Sequence, residues 1–174
     1  MPSAGTVPPS LRYTKVPVME IHAAGTISSP AWPRRPERQT EELAAAEALE
    51  LLGTVELGRI VFTRHALPVV RPVHHLLDAG DIIIRVHDGS TLTALLAAQE
   101  GPGVVVAYEA DDIDPDEHLG WSVVATGYAT AVTDQDEIER YAHLLRPWVE
   151  GTASGAVRIR PDVVTGFRLR ERSP

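Results

Sequence analysis

Arg71, His74, His75 and Arg85 stand close together in the stretch VVRPVHHLLDAGDIIIRVHDGSTL (69–92), and Ser90 and Thr91 follow at once. Guanidinium groups at this density suit phosphate or carboxylate oxygens, because the planar fork matches two of them together. Ser90 and Thr91 open an apolar segment, and a helix start leaves backbone N–H groups that favour an anion. The doubled histidine invites a metal. Neighbouring side chains on a strand point to opposite faces, however, so His74 and His75 cannot share one ion, and no metal site is expected.

Several other chemistries are excluded by residue type. The chain has no cysteine, hence no disulfide framework and no thiolate nucleophile. Lys15 is its one lysine, so neither a phosphate-gripping nor a Schiff-base lysine exists in the folded body. No glycine-rich nucleotide loop follows a strand, and GTASG (151–155) does not have the strand–turn–helix setting of a nucleophile elbow. The acidic run EADDIDPDE (109–117) lacks the fixed Gly and terminal Glu of a calcium loop and reads as a solvated connection. Arg158 and Arg160, and again Arg168 and Arg170, alternate with apolar residues. They read as a solvent face balanced by acidic neighbours, with a cationic ligand rim as the alternative. No residue is assigned as a catalytic acid or base.

These side chains need a scaffold, and 174 residues suffice for one domain with a real core. A formal net charge of −8 argues against a general nucleic-acid or anionic-membrane binder. No apolar run approaches the roughly 20 residues of a membrane span, and no secretory signal opens the chain. A soluble, cytoplasmic protein acting on a small molecule is expected.

Seven prolines fall within the first 36 residues, so 1–38 is expected to be an extended or flexible arm and 39–174 the folded domain. TEELAAAEALELL, from Thr40, predicts a helix with Thr40 as cap and Gly53 as stop. Strands are expected at 58–64, 69–78 and 81–87, the last two joined by a tight turn at 79–80. A capped helix follows at 88–99, with Asp88 or Ser90 as cap. Two more strands (103–110, 120–132) precede a helix at 134–148 with a capping-box start. AVRIR and TGFRLR predict two short strands broken by Pro161. Strands mostly in succession, with three helices, argue an α+β protein built on an antiparallel sheet or barrel.

Pro72 cannot donate to a ladder, so its strand lies at an edge or bulges. A strand edge suits a flat heteroaromatic ring such as a flavin, and the helix start just beyond suits its phosphate. The order of LLGTVELGRIVFTRHALPVVRPVHHLLDAGDIIIRVHDGSTL, VVVAYEADDIDPDEHLGWSVVATGYATAV, RPWVEG and VRIRPDVVTGFRL resembles the pyridoxamine 5′-phosphate oxidase-like FMN-binding split-barrel family, from about Glu42 to Leu169. The resemblance implies a six-stranded antiparallel split β-barrel, mainly β with flanking helices, assembled as a homodimer with FMN sites at the interface. It implies a flavoprotein, an oxidoreductase or a non-catalytic flavin-binding protein, with deazaflavin or haem as lesser cofactor alternatives. Contacts would come from Arg71, Pro72, Val73 and His74, from Arg85 and Val86, and from Ser90 and Thr91. Trp121 and Ser122 match a position often contributed by the neighbouring subunit. Many relatives carry Asn where this chain has His74, and Lys where it has Thr91.

Overall fold

The computed structural model describes residues 38–87, 89–99, 101–145 and 155–172. The expected N-terminal arm, apart from Arg38, and Asp88 lie outside them. The chain begins as strand β1 (Arg38–Glu42) and helix α1 (Ala45–Leu52). Strands β2 (Leu57–Arg64) and β3 (Leu67–Asp78) form a hairpin through His65 and Ala66, whose φ values are 49° and 62°. A second left-handed pair, Ala79 (φ 53°) and Gly80 (φ 89°), turns β3 into β4 (Asp81–Val86). Two residues with positive φ give the backbone twist that a two-residue hairpin requires. Helix α2 (Thr91–Ala98), strands β5 (Val104–Ile113) and β6 (Gly120–Ala131), helix α3 (Gln135–Leu144) and strand β7 (Gly155–Glu171) complete the order.

Six antiparallel strands run β7–β4–β3–β2–β5–β6 and return to β7, closing a ring, while β1 is added outside it on the C-terminal half of β7. Inward positions follow the period of two. Ile60 and Phe62 on β2, Ile82 and Ile84 on β4, Val106 and Tyr108 on β5, Val123 and Ala125 on β6, and Ile159 on β7 fill the interior with Leu52 of α1. Each of the Val, Leu, Ile and Phe side chains among them contributes roughly 1.5–3 kcal/mol by leaving water. A smaller core of Ile83, Tyr141 and Leu145 lies under α3. The architecture is the six-stranded split barrel the sequence implies, with one strand more. No helix among the described residues is long and apolar enough to cross a membrane.

Four elements depart from expectation. Thr40, Glu41 and Glu42 do not start a helix but belong to β1, opposite Leu169, Arg168 and Phe167; α1 starts after Ala44. Pairing with β7, invisible locally, overrides the capping signal. AVRIR and TGFRLR are one strand of 17 residues, because β6 absorbs Pro161 through a register shift between Thr126 and Gly127. Gly127 is required there, since a Cβ would collide with the carbonyl oxygen of Arg160. Half of the acidic run is strand: β5 extends to Ile113, and Arg59 pairs with Glu109 and Asp111, each at 2.8 Å. Helix α3 ends at Leu144, and the rest of the expected 134–148 helix, beyond Leu145, lies outside the described residues.

Candidate functional site

The barrel wall opens between β3 and β4. Pairing of these strands runs from Asp78–Asp81 only to His75–Ile84. Beyond it β3 stays with β2, where Pro72 faces Arg59, whereas Arg85 and Val86 of β4 continue along β7. Pro72 therefore sits on a strand with one side unpaired, as its missing N–H demands.

Helix α2 starts beside this opening. Ser90 caps it, its Oγ accepting from the N–H of Thr93 at 3.2 Å. Strand divergence and helix start enclose a cavity of about 450 Å3. Ile60, Phe62, Ile84 and Leu92 supply an apolar bed; Arg71, Arg85, His74 and His87 supply the polar and cationic walls. No carboxylate lines it among the described residues. In a chain of net charge −8 that is a local inversion of sign, and it favours an anionic ligand.

Eight of the residues singled out from the sequence meet in this one cavity: Arg71, Pro72, Val73, His74, Arg85, Val86, Ser90 and Thr91. Trp121 and Ser122 do not. Trp121 is buried in the barrel core, and Ser122 lies on the outer face in a separate hollow with Thr40, Glu42 and Phe167. The sequence reading did not single out Leu57, Ile60, Phe62, Ile84 or Leu92, which give the cavity its apolar bed. The signal is present in the alternation of GRIVFTR, which puts Ile60 and Phe62 on one face of β2, the face they share with their β3 partners Arg71 and Val69.

The two adjacent histidines part company. His74 lines the cavity, while His75 is 3% exposed and packs edge-on against Tyr108 with ring centroids 5.1 Å apart. Its Nε2 lies 2.8 Å from the carbonyl oxygen of Leu52, so Nε2–H donates. Burial holds the His75 pKa below its usual 6.5, against the opposing pull of that carbonyl. Burial also pushes the Tyr108 phenol up, so both rings are neutral.

Three of the four C-terminal arginines are the balanced solvent face expected of them: Arg158 binds Glu137 and Asp81, Arg168 binds Glu47 and Arg170 binds Glu41, while Arg160 is exposed with no carboxylate among the described residues.

A family model described as pyridoxamine 5′-phosphate oxidase matches residues 44–172. The chain belongs to that family. The uncharacterized protein Rv0080 of Mycobacterium tuberculosis is 47% identical over 132 residues, covering 76% of this chain and 87% of its own length. Among solved structures, a candidate pyridoxamine 5′-phosphate oxidase from Corynebacterium glutamicum superposes with a TM-score of 0.62 at 31% identity, covering 77% of this chain and 96% of its own. An FAD-binding protein of Mycobacterium smegmatis matches with a TM-score of 0.57 at 29% identity, over 76% of this chain and all of its own. Family membership fixes the scaffold; the substrate has to be argued from the site.

Proposed function

We propose that this chain is a flavoprotein that binds FMN in the cavity between β3, β4 and α2, and acts as an oxidoreductase on a small molecule. One observation carries the reading: an apolar bed and an anion-seeking rim share a single cavity of about 450 Å3. That size falls in the range of roughly 300–1,000 Å3 usual for small-molecule sites. A flavin ring needs a flat apolar bed and main-chain donors and acceptors along one rim. Ile60, Phe62 and Ile84 provide the first, and the unpaired side of β3 around Val73 the second. A phosphate needs cations and hydrogen-bond donors; Arg71 of β3 supplies a guanidinium, and Ser90 and Thr91 supply hydroxyls at the start of α2. When bound, a flavin supplies hydride transfer, and the protein's share is to orient the ring and exclude water.

The FAD-binding relative makes the dinucleotide the nearest competitor. Mass analysis of the small molecule released from purified, denatured protein decides among FMN, FAD, deazaflavin and haem. FMN is expected. Protein that releases no cofactor and takes up neither FMN nor FAD would overturn the reading. A non-catalytic flavin carrier is the second reading, favoured by the lack of a carboxylate in the cavity wall among the described residues. It predicts a bound flavin that turns over with no reductant and acceptor pair.

Two copies are inferred to pair through the outer sheet face. Register aligns Val70, Val61, Ala107, Thr126 and Val163 in an uncharged row across five strands. Val70 and Val163 are 50% and 57% exposed, and Val105 beside them 61%. Ser122 shares this face, which supports its reaching a partner's cavity. Light scattering is expected to give a dimer mass, and a monomer with full flavin affinity would contradict the shared site.

A further inference from the structure

We infer that Arg64 completes the anion-binding end of the cavity, so that its ligand is selected for a dianionic phosphate gripped from β2 as well as from β3. The inference rests on the cavity reading above, and its test separates the two.

The arginines divide by partner. Arg38, Arg59, Arg140, Arg158, Arg168 and Arg170 each have a carboxylate within 3.3 Å. Arg64, Arg71 and Arg160 have none among the described residues. In a protein with 24 acidic side chains, an arginine left without one is held for something else or simply exposed. All three are exposed, and position separates them: Arg160 is out on β7 opposite Tyr128. Arg71 lines the cavity, and Arg64 reaches Thr91 on its rim.

Strand register explains how. Arg64 lies on the same face of β2 as Ile60 and Phe62, the cavity bed, and Ile60 is opposite Arg71 on β3. The two arginines therefore lie on the same face of adjacent strands, the face that carries the bed. Nη1 of Arg64 donates to Oγ1 of Thr91 at 3.4 Å, reaching the first turn of α2. This bond is long and engages one of five donors, which leaves the rest of the fork for an oxygen lodged beside Thr91. With Lys15 the one lysine in the chain, any permanent cation at a phosphate in the barrel has to be an arginine. Arg64 is an arginine that touches the helix start. Two guanidiniums from adjacent strands and the hydroxyls of Ser90 and Thr91 match a phosphate monoester bearing two charges. A neutral alcohol in its place would leave the cations without a counter-charge.

Three proteins decide it: wild type, Arg64→Gln, and Arg160→Gln as a control that removes the same charge elsewhere. Affinities for FMN and for riboflavin are measured by fluorescence quenching, and thermal shift is recorded in inorganic phosphate against chloride at equal ionic strength. Arg64→Gln is expected to weaken FMN about tenfold, to leave riboflavin within about twofold, and to abolish the phosphate-dependent shift. Arg160→Gln should change none of these. An Arg64→Gln protein with the wild-type FMN-to-riboflavin ratio and the wild-type phosphate shift overturns the inference. If wild type takes up no flavin yet is stabilised by phosphate through Arg64, the flavin reading fails and this one stands. If wild type responds to neither flavin nor phosphate, both fall.

Discussion

Nε2 of His75 lies 2.8 Å from the carbonyl oxygen of Leu52, and this bond ties the middle of β3 to the last turn of α1. Its Nδ1 is buried and has no hydrogen-bond partner among the described residues. Protonating the ring would place a charge in the barrel interior. Because the folded pKa lies below the unfolded 6.5, the unfolded chain binds the extra proton first. The contribution of His75 is therefore intact above about pH 6.5 and is lost as pH falls below it. The melting temperature should drop between about pH 6.5 and pH 5, before most carboxylates titrate. His75→Gln keeps a donor for Leu52 and should flatten that part of the curve. An unchanged slope in the variant would show that the acid sensitivity lies elsewhere.

Arg71 lines the cavity with Val70 O as its one hydrogen-bond acceptor among the described residues, whereas Arg140 is engaged by Asp78 on the surface of α3. Arg71→Ala should weaken FMN by about tenfold or more, the worth of a charge-assisted hydrogen bond. Arg140→Ala should leave affinity near wild type and cost some stability instead. Titration of both variants with FMN checks this, and equal affinities would dispose of Arg71 as a ligand contact.

Tyr141 is a structural hub. Its hydroxyl donates to Asp78, with Arg140 and Arg158 alongside at 3.0 and 3.3 Å. The Tyr141 bond, then Arg140, hold the Asp78 carboxyl below its usual range. Tyr141→Phe should cost about 1–2 kcal/mol in chemical denaturation while the flavin spectrum stays unchanged. The native state of wild type retains this advantage above the ordinary Asp pKa and loses it as pH falls through the depressed one. The acid limb of the stability curve should accordingly be shallower in the variant.

Val163 faces out beside Thr126 at the end of the uncharged row. Val163→Glu places a charge in the proposed interface and should convert dimer to monomer by light scattering, with flavin affinity falling alongside. A dimeric variant would move the interface off this face.

Much of this architecture was readable in the sequence because the signals are local. Alternation at 58–64 and 81–87, the turn at Ala79–Gly80 and the Ser90 cap each depend on a few adjacent residues, and each falls where it was expected. Pro72 marked the open side of β3 by what it cannot donate. What escaped depends on partners far along the chain. Thr40 reads as a helix cap until Leu169 arrives opposite it, and Pro161 reads as a break until Gly127 gives way to it. The cavity divides in the same manner. Its polar residues stand out by type, whereas Ile60, Phe62 and Leu92 look like any core residue until the strands diverge above them. Arg64 escaped as well, being one basic residue at a strand end with nothing in the sequence to link it to Thr91.

Strand β7 has consequences for how the molecule is made. It is bonded to β1, β4 and β6 at once, and its end meets Arg38 through Glu171 across 133 positions. β7 must leave the ribosome before the ring can shut, so until then β4 and β6 each present an unmated flank. Slow, late closure and vulnerability to sticking during synthesis follow from such distant pairings. Trimming a few residues from the end of β7 should therefore harm soluble yield far more than trimming the same number from a surface helix.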